Sequence, residues 1–434
     1  MCSRGRWPMT TSSDRVAEPV ARAGPRLKER PEDFVVEEIP AYAPAGFGEH
    51  AYLFIEKRDA TTSGVARALA RMLGVPEREI GFAGLKDRRA VTRQWFSVRD
   101  PAGAVTAQRA LGLEAPMFRV LEADRHGNKL RRGHLAGNRF EVTVRGVGVA
   151  RLPDAVRRLE AIRADGIANG FGSQRYGSRG NNHRIGRALA LGREDEALRL
   201  LAGLTEPGDG SRYDAEARGL FDAGRIAEAL EAFPSGSVAE RRALGALARG
   251  GTARDAIHAV GALQRSYWFS ALQSAVFDDV LADRLERRAP WALAPGDLAF
   301  KHDTGAVFRV DAGEDAQTLA RRVAALEISP SGPMWGPDMT RAADETDQAE
   351  RAALARAGLS PEDLARAATG WRLRSLGARR AMRVPVADAC LDAGADDRGE
   401  FLRARFTLPA GAFATVVAAD LFGLPDEAHR RRAW

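Results

Sequence analysis

Cysteine is nearly absent: Cys2 and Cys390 are the only two in 434 residues. That excludes a disulfide framework and a cysteine-based zinc site, and makes a reducing, cytoplasmic setting the expectation. No apolar run approaches the roughly 18 residues needed to span a bilayer. The first 25 residues carry Arg4, Arg6, Arg15 and Arg22 but no apolar h-region, so no secretory signal is expected and residues 1–25 read as a disordered basic arm. The seven histidines are scattered without an H-E-x-x-H pair, and there is neither a G-x-x-x-x-G-K-S/T loop nor a G-x-S-x-G elbow. These gaps argue against a zincin, an NTPase and a serine hydrolase. No metal or other cofactor is expected.

What is present is a soluble composition with ample core material: 45% apolar and 28% charged residues, in a length that suggests two to three domains. The formal charge is +7 with a pI near 9.8. Nearly all the positive charge is arginine, which grips phosphate bidentately and stacks on bases, so the balance is compatible with a nucleic-acid partner.

Along the chain, 34–39, 51–57, 94–98, 117–122 and 139–145 read as strands. In the last, Phe140, Val142 and Val144 face one way and Glu141, Thr143 and Arg145 the other. Thr61 or Thr62 can cap a helix to Gly74 with Val65, Leu69, Met72 and Leu73 on one face, and a second helix runs from Pro153 to about Ile167. From about 166 the character turns helical, over 182–203, 213–232, 237–250, 264–289 and 341–369. Strand character returns at 378–384 and 401–408, and Pro409-Ala410-Gly411 leads into a terminal helix. The pattern predicts an α+β protein in which a helical insertion interrupts a sheet domain.

One stretch concentrates chemistry: Gly81-Phe82-Ala83-Gly84-Leu85-Lys86-Asp87-Arg88-Arg89-Ala90-Val91-Thr92-Arg93-Gln94. Two glycines permit close backbone approach, and one carboxylate, Asp87, stands among Lys86, Arg88, Arg89 and Arg93. This suits an anionic group acting beside a polyanionic substrate. By residue types alone a Lys-Asp-Arg-Arg run is usually a solvated turn.

GFAGLKDRRAVTRQ resembles the signature of the TruD family of tRNA pseudouridine synthases. Four further blocks match in order: Lys28 to Glu38 (KERPEDFVVEE), Arg125 to Phe140 (RHGNKLRRGHLAGNRF), Phe171 to Gly177 (FGSQRYG) and Pro409 to Thr415 (PAGAFAT). Two departures stand out. Asn169 is followed by Gly170 where the family has an aromatic, and Arg187 to Gln264 is long and helical, more like the enlarged insert of archaeal and eukaryotic relatives.

The resemblance implies a discontinuous catalytic domain with a mixed or antiparallel sheet, 26–165 and 385–434, interrupted by a mostly helical insertion at 166–384. It implies isomerisation of a uridine in tRNA, expected at position 13, with Asp87 as nucleophile. By family position Lys28 partners Asp87, and Phe34, Phe140 and Phe413 would stack on a flipped base. Each of those aromatics also reads as an ordinary core side chain. Asn138 offers an amide to a uracil edge, or simply follows Gly137 in a turn. Arg125, Lys129, Arg131 and Arg132 would contact phosphates. tRNA is the expected partner, with no membrane and no obligatory protein partner. The alternatives are the same chemistry on another RNA, and a non-catalytic RNA-binding protein on this scaffold.

Overall fold

The computed structural model describes residues 24–373 and 377–424, so the expected basic arm, apart from Gly24 and Pro25, lies outside the described residues. The chain first lays down β1 (Arg26–Leu27), β2 (Phe34–Pro40), β3 (His50–Arg58), helix α1 (Thr62–Leu73), β4 (Ile80–Phe82) and β5 (Val91–Arg99). Helix α2 (Ala107–Leu111), β6 (Glu114–Ala115), β7 (Phe118–His126), β8 (Leu135–Arg145) and α3 (Leu152–Asp165) follow. The Thr61 hydroxyl accepts from the Gly64 N–H and caps α1, and Gly74 ends it in the left-handed region. Val65 and Leu69 of α1 are buried, whereas Met72, expected on the same face, is exposed.

The chain then leaves the sheet through a two-stranded ribbon, β9 (Ile167–Ala168), whose partner β14 (Arg383–Val384) brings it back. Between these strands run α4 (Asn182–Ala190), α5 (Glu194–Ala202), α6 (Ala215–Asp222), α7 (Ile226–Ala232), α8 (Val238–Leu247), α9 (Ala253–Val260) and α10 (Ala262–Leu285). Next come β10 (Leu298–Lys301), β11 (Val307–Arg309), α11 (Ala316–Ala324), β12 (Ile328–Met334), α12 (Asp344–Arg356), α13 (Pro361–Gly370) and β13 (Ala378–Ala381). Trp268, Phe269, Leu272, Val276 and Phe277 of α10 lie at the centre of this region's core. It is not purely helical: β11-β10-β12-β13 form a four-stranded sheet. The expected strand at 378–384 divides between that sheet and the ribbon, so neither half joins the large sheet.

The last elements are β15 (Ala387–Asp396), β16 (Gly399–Pro409) and α14 (Ala414–Phe422). The large sheet has ten strands in the order β15-β16-β8-β2-β5-β3-β7-β6, with β1 on β8 and β4 on β5. Among the described residues only β2 and β5 pair in parallel. β16 lies directly against β8, with Phe406 opposite Phe140 and Leu408 opposite Asn138. Residues from both ends of the chain thus complete one mixed sheet. Among the described residues no helix is long and apolar enough to cross a membrane, and no group of three His, Cys, Asp or Glu could hold a metal ion.

Candidate active site

The Asp87 loop joins β4 to β5, which pair antiparallel. Glycine is required at its start: a Cβ on Gly81 would lie 2.4 Å from the Leu130 carbonyl oxygen. The loop is then tied down along its length. The Lys86 N–H donates to Thr62 Oγ1 at 3.0 Å, and the Gln94 amide donates to the Gly84 carbonyl at 3.0 Å. Lys57, fully buried on β3, donates to the Asp87 carbonyl at 2.8 Å and the Ala60 carbonyl at 2.7 Å. Burial pulls its ammonium down to about 8, the charge of Asp87 opposing. The backbone of Asp87 is therefore held independently of its carboxylate.

That carboxylate is half-exposed and faces two partners. Lys28 Nζ lies 3.4 Å from Asp87 Oδ2 and sits 3.8 Å from the Phe34 ring centroid, a cation–π contact. Burial lowers the Lys28 pKa and the Asp87 charge opposes it. Lys28 adopts φ +57, in the left-handed region, a strained conformation of the kind that clusters at functional sites. The second partner is Gln174. An ammonium only donates and a carboxylate only accepts, so the Gln174 oxygen faces Lys28 Nζ at 3.0 Å and its nitrogen faces Asp87 Oδ1 at 3.2 Å.

Asp87 opens into a cleft of about 320 Å³ whose lining includes Phe34, Lys86, Asn138, Phe140, Gln174 and Phe413. Side chains two apart on a strand share a face, and the β2–β8 register sets Val36 opposite Phe140 and Glu38 opposite Asn138. Phe34 and Phe140 meet edge-on at 6.1 Å, and both are buried, so they serve core and cleft at once. Phe413 is only half-buried at the start of α14, 5.5 Å from Phe171. A Cβ on Gly172 would come within 2.7 Å of Thr415 Oγ1. That closeness is how FGSQRYG and PAGAFAT pack together.

A family model for tRNA pseudouridine synthase D (TruD) matches residues 17–421. The chain belongs to the TruD family. It is 42% identical over 407 residues to tRNA pseudouridine synthase D of Geobacter sulfurreducens, covering 93% of this chain and 95% of that one. It is 37% identical over 402 residues to the protein of the same name from Anaeromyxobacter dehalogenans, covering 92% and 93%. The crystal structure of the putative TruD of Methanosarcina mazei superimposes with a TM-score of 0.72 at 25% identity, over 92% of this chain and 94% of that one. Coverage of 95% of the Geobacter chain leaves no room for a large extra insert here. The segment Arg187–Gln264 is thus not peculiar to archaeal or eukaryotic TruD relatives.

Of the residues expected at the TruD site, Asp87, Lys28, Phe34, Asn138, Phe140 and Phe413 come together; the four basic residues do not join them. Arg125 turns inward, donating to the Gly48 carbonyl at 2.8 Å and to the side chain and carbonyl of Asp100. Lys129 donates to the Arg78 carbonyl. Arg131 and Arg132 are exposed, the latter 5.9 Å from the Phe82 ring. Sequence reasoning passed over Gln174, Lys57 and Glu38. Gln174 and Glu38 stand inside matched blocks, which was the available signal; Lys57 lies outside every block.

Proposed function

We propose that this chain converts a uridine of tRNA to pseudouridine, uridine 13 being the expected position, with Asp87 as the nucleophile. One observation carries the reading: the Asp87 carboxylate opens into the same cleft as three aromatic rings and two side-chain amides. The membership of the TruD family supports it. A base within a stack is out of reach, so the uridine is flipped into the cleft and held by stacking. The volume lies in the range of roughly 300–1,000 Å³ usual for small-ligand sites.

The carboxylate attacks the ribose at C1′ or the base itself; either way the C1′–N1 bond breaks, the base turns, a C1′–C5 bond forms, and the bond to Asp87 is broken again to restore the carboxylate. C5 gives up its proton and N1 gains one, so atoms balance without redox change. Lys28 and Gln174 orient the carboxylate, and Lys57 fixes its backbone. The test is incubation with bulk tRNA followed by site-resolved pseudouridine mapping. A new pseudouridine at position 13 is expected. Its absence from every tRNA would overturn the reading, and appearance elsewhere would keep the chemistry while changing the target.

A further inference from the structure

Glu38 on β2 and Asn138 on β8 are directly opposed in the sheet register, close enough for their side chains to meet on one face. Lys86 reaches between them from the Asp87 loop. Its ammonium lies 2.7 Å from Glu38 Oε2 and donates to Asn138 Oδ1 at 2.8 Å. The side chains of this ion pair are 5% and 0% exposed. An apolar pair of like volume would commonly be as stable, so stability alone is a weak reason for burying these charges.

An ammonium has donors only, so Lys86 dictates which end of the amide it meets. The Asn138 oxygen is turned back to Lys86, and the NH₂ is the end left for whatever enters the cleft that Asn138 lines. We infer that Glu38 and Lys86 are positioning residues that fix Asn138 as an obligate donor to the C4 carbonyl of the entering pyrimidine, selecting uracil over cytosine. This rests on the pseudouridine reading above.

The reaction itself gives a fixed donor its value. Turning the freed base about its N3–C6 axis exchanges N1 with C5 and also O2 with O4. With uracil, the place facing Asn138 holds a carbonyl oxygen before and after the turn, so one immobile donor serves substrate and product. With cytosine the same turn exchanges a carbonyl with an amino group, setting donor against donor in one of the two orientations. Rejection by such a mismatch is a usual route to specificity.

The test compares the affinities of two full-length tRNA transcripts, carrying U or C at the modified position. All proteins carry Asp87→Asn so that no turnover intervenes. The parent should prefer the U transcript by about tenfold, the scale of one hydrogen bond to a buried group. Glu38→Gln/Lys86→Met, which leaves no buried charge, should bring the ratio close to one without weakening the C transcript. Lys86→Arg should retain the preference. Asn138→Asp, which turns an acceptor to the base, should invert it, and reads the same question if the double variant does not fold. An unchanged ratio in Glu38→Gln/Lys86→Met or in Asn138→Asp, or an equal loss for both transcripts, would overturn the inference. Pseudouridine formation by the wild-type chain, measured alongside, separates the two readings. Its absence counts against the proposed function, whereas turnover with a parental U/C ratio near one counts against this inference alone.

Discussion

Lys57 is the side chain from which the Asp87 loop hangs. Its folded pKa of about 8 lies below the ordinary 10.5. The contribution of a group depressed in this way is fully present above the unfolded value and is lost as pH falls through the folded one. The stability gap between wild type and Lys57→Met should therefore widen as pH rises from about 8 toward 10.5. Denaturant midpoints on either side of pH 8 check this, and a flat gap would contradict it. At this scale legibility followed chemical distinctiveness. Asp87 is the only acid in its block, and Phe34, Phe140 and Phe413 are each the only Phe, Tyr or Trp in theirs. Gln174 and Glu38 carry no such mark, because what they do depends on partners far away in the chain. The inward hydrogen bonds of Arg125 were illegible for the same reason: nothing near it announces Asp100.

Among elements, β8 shows how alternation is read and how it misleads. Phe140, Val142 and Val144 share a buried face as expected, but Thr143 and Arg145 opposite them are buried too. Arg145 lies 2.8 Å from Asp33 and 2.7 Å from Asp396, joining the β1–β2 connection to the turn of the β15–β16 hairpin. Hydrogen bonds from Arg145 hold the Asp396 carboxyl well below the usual range. Removing one partner strands buried charge, so Arg145→Met should cost about 3–5 kcal/mol in chemical denaturation. A loss within ordinary surface variation would show the cluster to be dispensable. Two of the strands that sequence missed, β12 and β15, are built from residues that disfavour strands. β15 is ADACLDAGAD, an edge strand set by its pairing to β16, and β12 contains Pro330, Gly332 and Pro333. The span 182–203 read as one helix, but Gly192 takes φ +68 and divides it into α4 and α5.

For the whole molecule, the candidate site belongs to both halves of the chain. Five sequence blocks spread from residue 28 to 415 meet around one structural unit, and the inserted region supplies Gln174 directly. Arg380 of β13 joins the halves: it donates to the Asn169 side chain at 2.6 Å and to the Gly411 carbonyl at 3.1 Å, and lies 4.1 Å from the Phe171 ring. Phe171 in turn packs on Phe413. The family signature made the α+β class and the interruption of the sheet legible, whereas of the four-stranded sheet within the insertion only β13 was legible, as part of the strand character at 378–384. If the Asp87 carboxylate does the chemistry on tRNA, as proposed, its removal stops the reaction. The most direct measurement is site-resolved pseudouridine mapping of tRNA after incubation with Asp87→Asn, with tRNA affinity determined on the same protein. Asn keeps the size but not the nucleophile, and one negative charge facing a polyanion is removed. We expect no pseudouridine while tRNA affinity is retained or slightly increased; pseudouridine formation at the wild-type level would rule out Asp87 as the nucleophile.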